Sequence, residues 1–271
     1  MRYGLIGEKL GHSYSKIIHE MLANYTYDLI PLSREEFKLF MEKKDFKAIN
    51  VTIPYKQAVI PYLDELHPLA SRIGAVNTIV NNNGYCIGYN TDFYGFEYML
   101  RKNGIDCSGK KCLILGNGGS ALTVIAVLKH LKADKIYVVS RKAAEAAQVG
   151  EGGKPGAAED ITGIISYEDC YTRHRDAQVI INTTPLGMYP NTDASPLHLS
   201  GFSACEAVVD IIYNPIKTKL TLQAEQLGIK AVTGLEMLVA QAKQSIEHFL
   251  GRQLEDELID ETYKKLLSLI S

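Results

Sequence analysis

The sequence predicts an α/β protein with largely parallel sheets, and three observations carry that prediction. Short β runs alternate with longer helical patterns along the whole chain. Residues 110–141 have the strand, glycine turn, helix and strand of one βαβ unit. The chain is 271 residues long, more than one small core needs and suited to two modest domains.

Taken in order, residues 2–7 (RYGLIG) form a first strand, and residues 15–25 a helix with apolar side chains at helical spacing. Residues 48–54 (AINVTIP) are a further strand, closed by Pro54. Residues 56–66 have a helical pattern that Pro61 breaks or kinks. Two β runs, residues 75–80 and 85–90, flank Asn81-Asn82-Asn83-Gly84, a hairpin signal because Asn-Gly tolerates the positive φ of a tight turn. A helix over residues 93–104 stops at Gly104. The βαβ unit comes next. Residues 142–163, rich in Ala and Gly, read as a short helix and a mobile loop. Strands at 177–184 and 206–213 are separated by the loop 185–203. Two helices close the reading, one ending at Gly228 and a long amphipathic one from Leu235 to about Leu250.

Composition excludes several classes. A formal net charge of −2 gives no electrostatic case for nucleic acid or an anionic membrane. No apolar run approaches the ~20 residues that span a bilayer, and the glycine-rich, polar start is unlike a signal peptide. Five cysteines without a CxxC pair point to a reducing, cytoplasmic setting rather than a disulfide framework. His12 and His19 share the first helical region, but no ligand set completes them, so no metal is expected.

The dinucleotide fingerprint G-x-G-x-x-G/A is met by Gly116, Asn117, Gly118, Gly119, Ser120 and Ala121, after an apolar strand and at the head of an apolar helix. Gly116 permits the tight turn, Gly118 lets the backbone approach a pyrophosphate, and Ala121 allows close helix–strand packing. The helix N-terminus offers N–H donors to the phosphates. The second strand of the unit runs into Ser140, Arg141 and Lys142, two cations where an NAD site usually has a carboxylate. An arginine fork suits a 2′-phosphate, so NADP is the expected cofactor.

Three earlier segments combine polar residues with glycine and proline in ways packing does not require. They are Gly11-His12-Ser13-Tyr14-Ser15, Asn50-Val51-Thr52-Ile53-Pro54-Tyr55-Lys56 and Gly88-Tyr89-Asn90-Thr91-Asp92. Each lies at or beyond the C-terminal end of a predicted strand, where open α/β sheets bind ligands. With these segments the sequence resembles the shikimate dehydrogenase family. The family's signatures occur in order: HSxS, NVTxPxK, GAVNT (Gly74 to Thr78), GxNTD, the glycine fingerprint, NTTPLGM (Asn182 to Met188), DxxYxP (Asp210 to Pro215) and GLxMLVAQA (Gly234 to Ala242).

The resemblance implies a substrate-binding domain over residues 1–100, with 236–271 packing back on it, and a Rossmann NADP-binding domain over 101–235. It implies reversible NADPH-dependent reduction of 3-dehydroshikimate to shikimate, on the route to chorismate and aromatic amino acids, in a monomer or homodimer. Lys56 and Asp92 match the catalytic pair. Ser13 and Ser15 match the ligands of the substrate carboxylate, Asn50, Thr52, Asn77 and Gln241 those of the ring hydroxyls, and Tyr213 lines the pocket. Thr183, Met188 and Gly234 join the fingerprint and residues 140–142 on the cofactor side. Chemistry supports the pair independently: an ammonium beside a ketone oxygen stabilises the charge that hydride arrival creates and can supply the proton. A neighbouring carboxylate orients it. Read singly, Lys56 is an ordinary solvated lysine and Gln241 an exposed helix residue.

The chain departs from the family pattern in places. Lys9 and Lys16 stand where proline is usual, Glu20 where asparagine is usual, and Ser-Arg-Lys replaces Asn-Arg-Thr at 140–142. Losing two fixed φ angles predicts a looser serine-bearing loop. A broader enzyme acting on quinate with NAD or NADP is the first alternative, and a catalytically silent NADP-sensing module the second.

Overall fold

A computed structural model describes residues 2–11, 13–143 and 160–270. The chain divides into two compact units, Met1–Gly95 with Leu238–Ser271, and Phe96–Met237.

The first unit is built on a six-stranded mixed sheet. Its strands are β1 (Tyr3–Gly7), β2 (Tyr27–Pro31), β3 (Ala48–Val51), β4 (Glu65–Leu66), β5 (Thr78–Asn82) and β6 (Tyr85–Tyr89), in the order β2-β1-β3-β5-β6-β4. β1 runs parallel to β2 and β3, β5 is antiparallel to β3 and β6, and β4 is parallel to β6. Helices α1 (Ser15–Leu22), α2 (Arg34–Lys43) and α3 (Pro68–Ile73) connect them. One face is sealed by Ile6, Phe37, Met41, Phe46, Ile49, Val51 and Ile79. The other packs Leu5, Tyr27, Ala48 and Val80 with Phe249. The period-two alternation of β3 is thus buried on both sides, as central strands require.

Two local rules are visible here. α2 opens with a full capping box, Ser33 accepting from Glu36 N and Glu36 accepting from Ser33 N, so orphan donors at its start are satisfied. The β5–β6 hairpin turns through Asn83 (φ 54) and Gly84 (φ 97), the two positive angles that the Asn-Gly signal predicts.

The second unit is a doubly wound sheet with every pairing parallel: β7 (Lys111–Leu115), β8 (Lys135–Val139), β9 (Gly163–Ile165), β10 (Val179–Asn182), β11 (Ala207–Asp210) and β12 (Lys230–Thr233), in the order β12-β11-β10-β7-β8-β9. Counted within the unit this is 3-2-1-4-5-6 read from β9, the dinucleotide-binding order, with its switch point between β7 and β10. Its helices are α5 (Gly119–His130), α6 (Tyr167–Arg173) and α7 (Lys219–Gln226). α4 (Asp92–Lys102) and α8 (Leu235–Leu250) each contain a boundary between the units, and α9 (Glu257–Ile270) belongs to the first.

Three expectations are corrected. Residues 56–66 are not a helix: the chain makes one 3₁₀ turn at Ile60–Tyr62 with Pro61 in its first positions, then enters β4. Proline supplies a helical φ but no N–H, and Leu63 is already extended (φ −97, ψ 144). A third closing helix, α9, comes after α8, burying Ile259, Thr262 and Leu266 at spacings of three and four. Gly163, expected in a loop, begins β9 beside Tyr137. The short helix and loop expected in 142–163 lie mostly outside the described residues.

Candidate active site

In the first unit the register Leu5↔Asn50, Asn50↔Thr78 and Thr78↔Tyr89 lines polar residues across the centre of the sheet. Asn50 is buried and fully engaged. Its Nδ2 lies 3.1 Å from Asn77 O, 3.0 Å from Thr78 Oγ1 and 2.8 Å from Ser245 Oγ, while Oδ1 accepts from Tyr27 Oη at 2.7 Å. Asn77 donates from Nδ2 to Thr91 Oγ1 (3.0 Å) and Gln241 Oε1 (3.4 Å), and accepts from Thr91 N (2.7 Å). Gln241, read alone as an exposed helix residue, is 8% exposed and points into this cluster from α8. Packing decides what helical periodicity left open.

Lys56 and Asp92 sit beside it. Lys56 Nζ donates to Asp92 Oδ2 at 2.6 Å, and their side chains are 15% and 10% exposed. Lys56 is held through its carbonyl, which accepts from Val76 N at 2.8 Å. Asp92 starts α4, where the helix dipole favours a carboxylate. Asn90 caps that helix, accepting from Phe93 N at 3.1 Å. A mostly desolvated ammonium held by one carboxylate is an acid–base group with a fixed aim.

Ser13 and Ser15 come together at the start of α1: Ser13 Oγ donates to Ser15 Oγ at 3.1 Å and accepts from Ser15 N at 3.3 Å. The first turn of α1 has no acidic residue, so its N-terminus suits an anion. Lys16 and Glu20 act jointly. Lys16 Nζ bonds Glu20 Oε1 (2.6 Å) and Tyr27 O (2.7 Å), and Glu20 Oε1 accepts from Tyr27 N (3.0 Å). The lysine hydrogen bond holds the Glu20 carboxyl below its usual range. One turn on from Ser15, His19 is buried and stacks on Tyr27 with centroids 3.9 Å apart. Burial pushes its pKa down to about 3, so the imidazole stays neutral. Thr52 is half-buried, its methyl directed at Gly7, where an added Cβ would come within 2.5 Å of Thr52 Cγ2. Tyr213 belongs to the second unit, after β11.

In the second unit every residue expected on the cofactor side comes after the C-terminal end of a strand. Gly116 follows β7, Ser140 follows β8, Thr183 follows β10 and Gly234 follows β12. Gly116 has φ 101, and a Cβ there would lie 2.8 Å from Thr184 Cγ2. Gly118 and Gly119 differ, because a Cβ on either meets nothing within 4 Å. The protein's own packing does not demand these glycines, whereas a pyrophosphate approaching the backbone does. α5 begins at this turn with no side-chain cap and no acidic residue in its first turn, and Ala121 is fully buried. Asn117 is exposed and Ser120 half-buried. Ser140 Oγ accepts from Lys142 N at 3.2 Å, and Arg141 and Lys142 are both exposed. Thr183 Oγ1 donates to Leu115 O at 2.8 Å, tying the ends of β10 and β7 across the switch point. Met188 is 42% exposed in the following loop. These residues fit a dinucleotide.

One buried network was named in sequence only as a motif. Asp210 Oδ1 accepts from Asn182 Nδ2 and Ile212 N, both 3.0 Å, and Oδ2 accepts from Thr218 Oγ1 at 2.8 Å. Burial outweighs these bonds and lifts the carboxyl pKa from 3.8 to about 6. The folded state therefore holds a proton that the unfolded chain has released between those values, and this group's contribution to stability falls as pH rises from about 4 to about 6. Asp210→Asn is expected to remove that slope. Urea midpoints of variant and wild type at pH 4, 5, 6 and 7 measure it; parallel curves would reject the assignment.

Among the described residues no three His, Cys, Asp or Glu side chains gather as a metal site, and no helix is long and apolar enough to cross a membrane. The five cysteines are buried thiols.

Residues 5–79 match the family model of the shikimate dehydrogenase substrate binding domain. The chain is 38% identical over 269 residues to shikimate dehydrogenase (NADP(+)) of Clostridium beijerinckii, covering 96% of each sequence. It superposes on shikimate dehydrogenase 1 of Peptoclostridium difficile with a TM-score of 0.88 at 34% identity, covering 98% of both chains. Against shikimate 5-dehydrogenase of Thermus thermophilus, solved with NADP(H) and shikimate, the TM-score is 0.84 at 28% identity, covering 98% of this chain and 99% of that one. With 38% identity to that relative over 96% of both sequences and the same fold as those solved structures, the chain belongs to the shikimate dehydrogenase family.

Proposed function

We propose that this chain is a cytoplasmic NADP-dependent oxidoreductase that interconverts 3-dehydroshikimate and shikimate. The observation that carries the reading is the 2.6 Å pair of Lys56 and Asp92 beside a buried array of amides and hydroxyls.

In the reducing direction the substrate carbonyl lies against Lys56 Nζ. Negative charge grows on the carbonyl oxygen, Lys56 stabilises it and passes a proton to it, and Asp92 holds the ammonium in line. The nicotinamide, when bound, supplies the hydride and takes it back in the reverse reaction. Asn77 and Gln241, with Asn50 behind them, hold the ring hydroxyls; Ser13 and Ser15 hold the carboxylate at the head of α1. Thr52 completes the pocket lining within the first unit.

On the cofactor side the backbone from Gly116 through Ala121 would hold the pyrophosphate, with open space at Gly118 and Gly119. Arg141, aided by Lys142 and Ser140, would receive the 2′-phosphate. Thr183, Met188 and Gly234 would serve the nicotinamide end. Five buried thiols accord with a reducing compartment.

The test follows reduced-cofactor absorbance at equal protein with shikimate or quinate and NADP or NAD. Turnover of shikimate with NADP, at least tenfold above the other combinations, is the expected result; about 1.4 kcal/mol of discrimination suffices for it. Comparable rates with quinate or NAD would replace the reading by the broader dehydrogenase. No turnover with any pair, despite NADP binding, would leave a silent NADP sensor.

A further inference from the structure

Ser245 carries none of the roles set out above, yet it is fully buried and stands where two halves of the polar cluster meet. It lies one helical turn beyond Gln241 on α8, so both side chains share a face. Its Oγ is 2.8 Å from Asn50 Nδ2, 2.9 Å from Thr78 Oγ1 and 2.9 Å from Thr91 Oγ1. A serine deep in a sheet-facing helix satisfies its own hydroxyl most cheaply by bonding a carbonyl one turn back. Here it reaches three side chains from two strands and the segment leading into α4.

Donor and acceptor chemistry gives the cluster a direction. Tyr27 is a buried phenol, kept protonated because burial pushes its pKa well up, and it donates to Asn50 Oδ1. That bond fixes which end of the Asn50 amide is oxygen. Asn50 Nδ2 must then donate, and Ser245 Oγ is its shortest acceptor. Thr78 Oγ1 accepts from Asn50 as well and donates to Asn77 Oδ1 at 3.1 Å. With those donors committed, Ser245 offers its own proton to Thr78 Oγ1 and Thr91 Oγ1, both 2.9 Å away. Thr91 in turn reaches Asn77 Oδ1 at 3.3 Å and Gln241 Oε1 at 3.5 Å.

We infer that Ser245 is a positioning residue for the reaction: its hydroxyl links the amide of Asn50 to Thr91, the residue directly before Asp92. It thereby keeps the groups facing the ring hydroxyls in one register. The inference rests on the shikimate dehydrogenase reading. It goes further by placing substrate recognition partly under a residue too buried to touch substrate.

Ser245→Ala removes the link without adding bulk. The KM for shikimate is expected to rise about tenfold, the worth of one buried hydrogen bond. The turnover number should stay within about twofold, and the KM for NADP should not move. Ser245→Cys keeps a weak donor and acceptor in place and should give a rise of about threefold. Thermal melts run alongside. A lowered melting temperature with an unchanged KM for shikimate would make Ser245 a packing residue and overturn the inference. Where Ser245→Ala does not fold, the cysteine variant decides: wild-type KM overturns the inference and a raised KM at held turnover supports it. Absence of shikimate turnover in wild type would overturn both this inference and the reading beneath it, whereas a wild-type rate with an indifferent Ser245→Ala overturns this inference alone.

Discussion

Lys56→Ala is expected to lower the turnover number by roughly 10³-fold while raising the KM for shikimate less than about tenfold. The asymmetry comes from when the ammonium matters. A ground-state ketone is neutral and gains little from Lys56, whereas the oxygen acquires a full charge as hydride arrives and must then be protonated. The 2.6 Å bond to Asp92 fixes the ammonium's place, so water entering the vacated space is a poorer acid and poorly aimed. Steady-state kinetics with saturating NADP separates the two parameters. An unchanged turnover number would remove Lys56 from the chemistry, and a loss carried wholly by KM would make it a binding residue. Asp92 loses its cation in this variant, so a melting curve belongs with the kinetics; a folded but slow enzyme is the expected result.

Gly234→Ala should have the largest effect on stability. An alanine Cβ at this position would lie 2.0 Å from Ile211 O and 2.4 Å from Ile211 C, both backbone atoms that no rotamer change can move away. The two chain segments are also pinned there, since Gly234 N donates to Ile212 O at 3.0 Å. Relief requires β12 to separate from the end of β11, breaking that bond and exposing apolar surface. Overpacking of this kind costs upwards of about 4 kcal/mol, a large share of a domain's whole margin. Thermal unfolding followed by circular dichroism should show a drop of about 10 °C or more, or no soluble protein at all. A melting point within about 2 °C of wild type would mean that the close approach relaxes freely. The glycine at 234 thus has a structural cause that stands whether or not the cofactor touches it.

These two cases mark what was legible in the amino-acid sequence. Gly116 and Gly118 could be read because a fingerprint encodes a local shape: strand, tight turn, helix, all within a few residues. The hairpin at Asn83-Gly84 was legible for the same reason. Lys56 and Asp92 are 36 residues apart, and only the motifs around them gave warning that they would meet. Thr78 was named only as the end of a motif, and Tyr27 and Ser245 gave no such warning. The value of each comes from partners distant in sequence, up to 195 positions away. Periodicity cannot report that. β9 and β12, of three and four residues, were too short to show an alternation, and their pairing is supplied by β8 and β11. The pattern in 56–66 misled because Pro61 is compatible with a first helical turn and forbids only the continuation of the helix. α9 is different: its apolar spacing is present in the residues, beyond the left-handed turn at Gly251 (φ 64).

The joint bonding of Lys16 and Glu20 to the backbone of Tyr27 has a consequence for descent as well as for shape. A change at position 20 alone leaves Lys16 on Tyr27 O but takes the side-chain acceptor from Tyr27 N, and a change at position 16 alone leaves Glu20 on Tyr27 N but takes the side-chain donor from Tyr27 O. The two side chains thus clasp both backbone groups of Tyr27 only as a pair, and substitutions at 16 and 20 are expected to be tolerated better together than singly.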